Sequence, residues 1–287
     1  MPVGRVTDRR KVLRVDGGHV VTRPDTLAVE EPLEIRVDGA SIAVTMRTPG
    51  DDVDLAIGFL LTEGLIASGA DVSTARFCAG SGEDGVNTFN VLDLVLNEGV
   101  PAPPPSAERA FFTTSSCGVC GKASIDAIRT RTRWPVAGDL LRLDPDVLIG
   151  LPDRLRGGQR VFNRTGGLHA AGLFAPAGDL LCLREDVGRH NAVDKVIGWA
   201  AREDRLPLTG TVLQVSGRAS FELVQKAVMA GIPMLAAVSA PSSLAVSLAV
   251  ESGMTLVGFL RGSSYNVYSV RSASASPERR LGGTRAE

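Results

Sequence analysis

The sequence is short of several things. Aromatic residues make up 5% of its 287 positions, with two Trp and two Tyr. That leaves little material for the ring platforms on which single-stranded nucleic acids stack. Neither sign of charge prevails: 31 Lys and Arg stand against 32 Asp and Glu, a formal balance of −1. A near-neutral chain is not built to coat DNA or an anionic membrane. Four cysteines, Cys78, Cys117, Cys120 and Cys182, are too few to staple a secreted scaffold. Apolar runs such as LAIGFLL at 55–61 fall far short of the roughly 20 residues that cross a bilayer. The opening stretch MPVGRVTDRRKVLRVDGG is charged, with no apolar centre, which excludes a secretory signal. The expectation is a cytoplasmic protein with reduced thiols and neither nucleic acid nor membrane as partner.

What is present suits a folded core, since 44% of residues are apolar. EEPLEIRV and SIAVTMRT alternate apolar and polar residues around Asp38-Gly39, a hairpin signal. DDVDLAIGFLLTEGLI reads as a helix with acidic residues at its start, and strand-like runs follow at 74–79 and 87–97. EGVPAPPPSA at 98–107 reads as a linker. Beyond it, strand-like and helical segments alternate, which implies a largely parallel sheet covered by helices. The expected organisation is α/β, α+β overall. A small α+β unit over 12–107 precedes an α/β/α domain over 108–271, with tails at 1–11 and 272–287.

The sharpest motif is TTSSCGVCGKASID at 113–126. Cys117 and Cys120 sit three positions apart at what reads as a helix start, where free backbone N–H groups and the helix dipole favour a thiolate. By spacing alone the pair suits a metal site, a redox dithiol, a sulfur carrier or a structural role. A zinc site needs two further ligands, and His169 and His190 are available for it. Cys78 and Cys182 lie in apolar runs and read as small core residues. GSGEDG at 80–85 matches G-x-G-x-x-G, but a strand-like run follows it rather than the helix a dinucleotide fold requires. CGKAS is not a phosphate-binding P-loop.

Further polar residues cluster near the ends of expected strands. FNRTGGLHAAGLF at 162–174 presents His169 beside a glycine turn, a context in which a histidine is more often structural than catalytic. REDVGRHNAVDKVIG at 184–198 brings Arg189, His190, Asp194 and Lys195 onto one loop and helix start. Spacing of four lets His190 and Asp194 share a helix face. SGRASFELVQK places Ser216 and Arg218 at a strand-to-helix turn, SAPSSLAV repeats that arrangement, and FLRGSSYNVYS sets Arg261 in a turn between strands. Three donor-rich turns suit a large anionic ligand.

Together TSSCGVCGKASID, FNRTGGLHAAGLF, EDVGRHNAVDKVIGWA, VSGRASFELVQKA, VSAPSSLAVSLA and GFLRGSSYNVYS resemble the FdhD family of formate dehydrogenase accessory sulfurtransferases, from about Thr26 to Val270. The resemblance implies persulfide sulfur taken from a cysteine desulfurase onto Cys117, with Cys120 as its partner. It implies delivery to a molybdenum or tungsten cofactor with two pterin guanine dinucleotide arms, bound as substrate, for a formate dehydrogenase apoenzyme. Phe259, Leu260, Arg261, Gly262, Ser263 and Ser264 map onto the family's guanine dinucleotide segment, and His169, Arg189, His190, Lys195 and Arg218 are further ligand-facing candidates. A homodimer, a three-layer domain similar to the cytidine deaminase fold and no resident metal are also implied. A deaminase reaction is not, because His169-Ala170-Ala171 lacks the glutamate of the H-x-E motif. The alternative is a non-catalytic chaperone of cofactor or apoenzyme, with the cysteine pair a structural metal or redox site.

Overall fold

The computed structural model describes residues 5–78, 88–103 and 132–270. Cys117, Cys120 and the helix expected after them lie outside the described residues, as do the last four residues of the expected linker, 104–107, and the stretch from 271. Among the described residues no helix is long and apolar enough to cross a membrane.

Among the described residues three sheets account for the strands. β1 (Thr7–Asp16) and β2 (His19–Ala28) form an antiparallel ribbon around Gly17-Gly18, both with positive φ. Residues from Thr7 to Lys11, expected within a tail, thus belong to a strand. β3 (Glu31–Val37) and β4 (Ala40–Arg47) make the expected hairpin, with Asp38 and Gly39 at φ 49° and 80°. Such left-handed pairs match the natural twist of two strands, hence the Asp-Gly preference. β5 (Val72–Phe77) and β6 (Val91–Leu96) complete a four-stranded sheet in the order β4-β3-β6-β5. Its inward residues Leu33, Ile35, Val37, Leu92 and Leu94 are fully buried.

The six-stranded sheet contains β7 (His169–Phe174), β8 (Leu180–Asp186), β9 (Val212–Val215), β10 (Met234–Ala237), β11 (Thr255–Arg261) and β12 (Ser264–Ser269), in the order β12-β11-β10-β9-β7-β8. It is mixed rather than largely parallel. Only β9, β10 and β11 pair in parallel, because hairpins return the chain from β7 to β8 and from β11 to β12.

Helices cover both faces. α1 (Asp52–Thr62) follows β4; α2 (Pro145–Gly158) and α3 (Arg160–Thr165) precede β7; α4 (Arg189–Arg202), α5 (Phe221–Met229) and α6 (Ser243–Ser252) follow β8, β9 and β10. Leu148, Leu151 and Leu155 of α2 pack with Phe174, Val212, Ala236 and Val257 on one side of the sheet. On the other side Leu173, Leu213 and Leu235 join residues of α4, α5 and α6. That second cluster continues without a break through Leu55 and Leu60 of α1 into Leu33, Ile35 and Leu92 of the four-stranded sheet. Alternating and helical apolar spacings each supply one buried stripe, and the layers form where the stripes meet.

α1 and α4 meet backbone to backbone. A Cβ on Gly58 would lie 1.9 Å from the Asp194 carbonyl oxygen, and one on Gly198 1.8 Å from that of Asp54. Only glycine permits that approach.

Candidate functional site

One edge of the six-stranded sheet gathers the polar residues. β9, β10 and β11 end there, β8 runs with them, and antiparallel β7 begins there. The order across the edge is Arg261, Val238, Ser216, His169 and Val187, at or just beyond the ends of β11, β10, β9, β7 and β8. α4, α5 and α6 start at the same edge behind Gly188, Ser220 and Ser242. Helix starts carry unpaired N–H groups and partial positive charge, so the edge suits anions.

Backbone pairing fixes the loops. Beyond β9 and β10 the Ala219 N–H donates to the Ala240 carbonyl (3.2 Å), the Ser242 N–H to the Ala219 carbonyl (3.0 Å) and the Phe259 N–H to the Ser239 carbonyl (3.1 Å). At Ser242 the side chain accepts from the Ala245 N–H at 3.2 Å, capping α6.

His169 pairs in register with Asp186 and stands half-buried against Gly217, where a Cβ would come 3.4 Å from its Nδ1. Burial, then the Arg189 guanidinium, lower its pKa against the pull of Asp186. His190 lies nearby, its Nε2 3.3 Å from Ser220 Oγ and 3.8 Å from Glu222. Burial, followed by Arg189 and Lys226, push His190 down to about 4 although Glu222 pulls the other way. Both imidazoles are therefore neutral near pH 7.

The carboxylate beside His190 is Glu222, not the Asp194 that helix spacing suggested. Asp194 faces the buried side of α4, within 2.9 Å of Lys226 Nζ and 3.0 Å of Thr62 Oγ1. Burial raises its carboxyl to about 6 against the pull of Lys226.

Lys195 does not face the edge either. Its ammonium is 1% exposed and lies 2.7 Å from Asp186 Oδ2 and 2.9 Å from the Thr48 carbonyl. Asp186 also accepts from the backbone N–H groups of Thr48 and Gly188 and from Asn191 Nδ2. This carboxylate ties β8, the start of α4 and the loop between β4 and α1 into one knot. Nothing in the sequence marks it out, since its partners stand as many as 138 positions away.

The remaining candidates are placed as follows. Arg218 is exposed, and Arg189 is half-buried with its Nε lacking a hydrogen-bond partner among the described residues. Phe259 holds a left-handed backbone at φ 53°, and Gly262 follows at φ 56°. The Arg261 guanidinium lies 5.4 Å from the centre of the Phe259 ring, exposed together with Gly262, Ser263 and Ser264. Leu260 is fully buried in the core beneath α2, so its side chain faces away from the turn's outer surface. Cys182 is buried as expected, its thiol pushed up to about 12 by that burial.

A cleft of about 580 Å³ opens between α2, α3 and this edge. Val238, Ser216, His169 and Val187 line it along the sheet, with Gln159 and Phe162 opposite. Glu185 secures α3 there by accepting from the backbone N–H groups of Val161 (2.9 Å) and Phe162 (2.8 Å). Gln159, Phe162, Glu185 and Glu222 carry no signal in the sequence that separates them from ordinary surface or core residues.

Comparison with known proteins gives a consistent picture. Residues 28–274 match the model of the FdhD/NarQ family. A protein of Streptomyces coelicolor named "Sulfur carrier protein FdhD" is 63% identical over 267 residues, spanning 93% of this chain and 95% of that protein. One of the same name from Mycobacterium tuberculosis is 59% identical over 269 residues, spanning 93% and 98%. The crystal structure of a candidate formate dehydrogenase accessory protein from Desulfotalea psychrophila superposes with a TM-score of 0.73 at 23% identity, covering 96% of this chain and all of that one.

Proposed function

The chain belongs to the FdhD/NarQ family, and on that footing we propose that it is a cytoplasmic, homodimeric sulfur carrier that serves the maturation of a formate dehydrogenase. The observation that carries this reading is the 63% identity over 267 residues to a protein named a sulfur carrier.

In this reading Cys117 is the acceptor. Its thiolate attacks the outer sulfur of a persulfide on a cysteine desulfurase. A new S–S bond forms on Cys117, and the desulfurase cysteine departs as a thiolate. Cys120, three residues on, assists. The recipient is a molybdenum or tungsten cofactor with two pterin guanine dinucleotide arms, held as substrate while sulfur passes to its metal.

The sheet edge supports the choice of recipient. The turn at 259–264 offers an exposed arginine, two hydroxyls and a half-buried ring to a guanine dinucleotide arm. Arg189, Arg218 and the starts of α5 and α6 supply positive potential for its diphosphate. The neutral histidines leave that potential uncrowded by further cations.

The test is to incubate the full chain with a cysteine desulfurase and cysteine, then measure the intact mass and map the peptide spanning 109–129. The expected product is a one-sulfur adduct on Cys117 or Cys120 that reductant removes. A reduced, folded chain that gains no adduct overturns the carrier reading.

A further inference from the structure

The ribbon of β1 and β2 stands apart from the two larger sheets. Its root rests on α3, where Arg164 Nη2 donates to Thr7 Oγ1 at 3.3 Å and a Cβ on Gly167 would meet Ala28 Cβ at 3.7 Å. From that root ten residues of strand reach about 33 Å. Every residue from Leu13 to Pro24 is exposed. A two-stranded ribbon alone in water is marginally stable at best, and a partner laid on it supplies the missing burial. The family match begins at residue 28, where the ribbon ends, so the features that define the family do not account for it.

Register divides the ribbon's side chains between two faces. Asp8, Asp16 and Asp25 fall on one face, together with Arg10 and Arg14. There Asp8 pairs with Arg10 at 2.6 Å and Asp16 with Arg14 at 3.5 Å, while Asp25 accepts from the Thr26 N–H. The opposite face holds no acid. Arg9 and Lys11 lie along it with no ion pair among the described residues. Beyond them Val15 stands opposite Val20, with Leu13 alongside. Leu13, Val15 and Val20 are 69%, 67% and 60% exposed. Exposed apolar residues gathered in this way mark an interaction surface.

The complement of this face is an acidic surface with an apolar centre. The two longer stretches outside the described residues, 104–131 and 271–287, do not match it, since each has four cations to two acids. A second ribbon does not match it either, because Arg9 and Lys11 would meet their own copies. Pro24 on β2 and the run Arg9-Arg10-Lys11 on β1 guard the edges, so the partner meets a face rather than adding a strand.

Position narrows the partner. Gly167, at the ribbon's root, also lines the cleft at the sheet edge. A protein held on the ribbon is therefore within about 33 Å of that cleft. The recipient enzyme has to approach this edge, because its cargo leaves from there.

We propose that the β1–β2 ribbon is a docking arm for the recipient apoenzyme, gripping an acidic surface with an apolar centre through Arg9, Lys11, Leu13, Val15 and Val20. The inference rests on the carrier reading given above, which supplies the recipient's identity.

The test measures three things on the full chain. They are its affinity for immobilised formate dehydrogenase apoenzyme, its sulfur acceptance from a cysteine desulfurase, and its mass in sedimentation. The wild type should bind the apoenzyme. The double variant Arg9→Glu/Lys11→Glu should weaken that binding about tenfold or more and flatten its salt dependence. Leu13→Ser/Val20→Ser should weaken it to a similar degree. Both variants change exposed side chains, and each should keep the wild-type melting temperature, sulfur acceptance and sedimentation mass. Wild type that binds no apoenzyme, or unaltered binding in either folded variant, overturns the proposal. So does a loss confined to the desulfurase step, which makes the donor the occupant, or a fall in mass, which makes it a second copy. Wild type that binds the apoenzyme through the ribbon but accepts no sulfur overturns the carrier reading and keeps the arm.

Discussion

Lys195 Nζ and Asp186 Oδ2 lie 2.7 Å apart, and neither side chain is more than 1% exposed. An ion pair so far from water is costly to break, because the surviving charge keeps its burial and loses its partner. Lys195→Met should lower stability by about 3–5 kcal/mol in urea unfolding. Removing the exposed Arg14–Asp16 pair should cost at most about 1 kcal/mol.

The depressed pKa of His190 links stability to pH. Above 6.5 the imidazole is neutral in both folded and unfolded chains. Between 6.5 and about 4 only the unfolded chain takes up the proton, so stability falls as pH falls through that window. The contribution is on the order of 2–3 kcal/mol. Asp194 acts with the opposite sign, its stabilisation present at low pH and lost as pH rises through about 6. The comparison is therefore between wild type and His190→Gln, unfolded in urea across this range. The variant should show the flatter acid limb.

Much of this was legible in the sequence, and what was not has a common cause. Asp38-Gly39 announced its hairpin because a local steric rule decides it. The strands and helices from Leu180 onward matched their apolar periods for the same reason. His190 did not disclose Glu222, and Lys195 did not disclose Asp186, because those partners are set by how α4 lies on its neighbours. A lysine on a helix reads alike whether it meets water or a buried carboxylate. Gln159 was silent, as a lone amide has no pattern. The helix α2 did have a signal, Asp144 capping before Pro145 with Leu148, Leu151 and Leu155 on one face, and the reading passed over it.

Cys182 should resist chemistry that reaches other thiols. With its pKa near 12 the thiolate fraction falls roughly a thousandfold below that of an ordinary cysteine. Treating the native chain with iodoacetamide should leave Cys182 unlabelled, and denaturant should expose it. Peptide mass mapping reads both states.

The crossing of α1 and α4 makes a sharp steric prediction. Gly198→Ala forces a methyl group into the Asp54 carbonyl, at a cost of about 3 kcal/mol or more in thermal unfolding. Gly157→Ala in α2 meets nothing within 4 Å and should be neutral or slightly stabilising.

Cys117→Ala should abolish sulfur acceptance and formate dehydrogenase activation while leaving the far-ultraviolet dichroism and melting temperature at wild-type values. Retained activity in that variant would return the cysteine pair to a structural role.

The meeting of α1 with α4 also sets a timetable. Asp54 takes an ion pair from Arg202, 148 positions later. At roughly 5–20 residues per second, a ribosome needs roughly 7–30 s to make the chain between them. Through that interval the apolar side of α1 has been synthesised and its covering helix has not. The nascent first third of the protein is thus a natural client for chaperones, and slow translation before residue 202 lengthens its exposure.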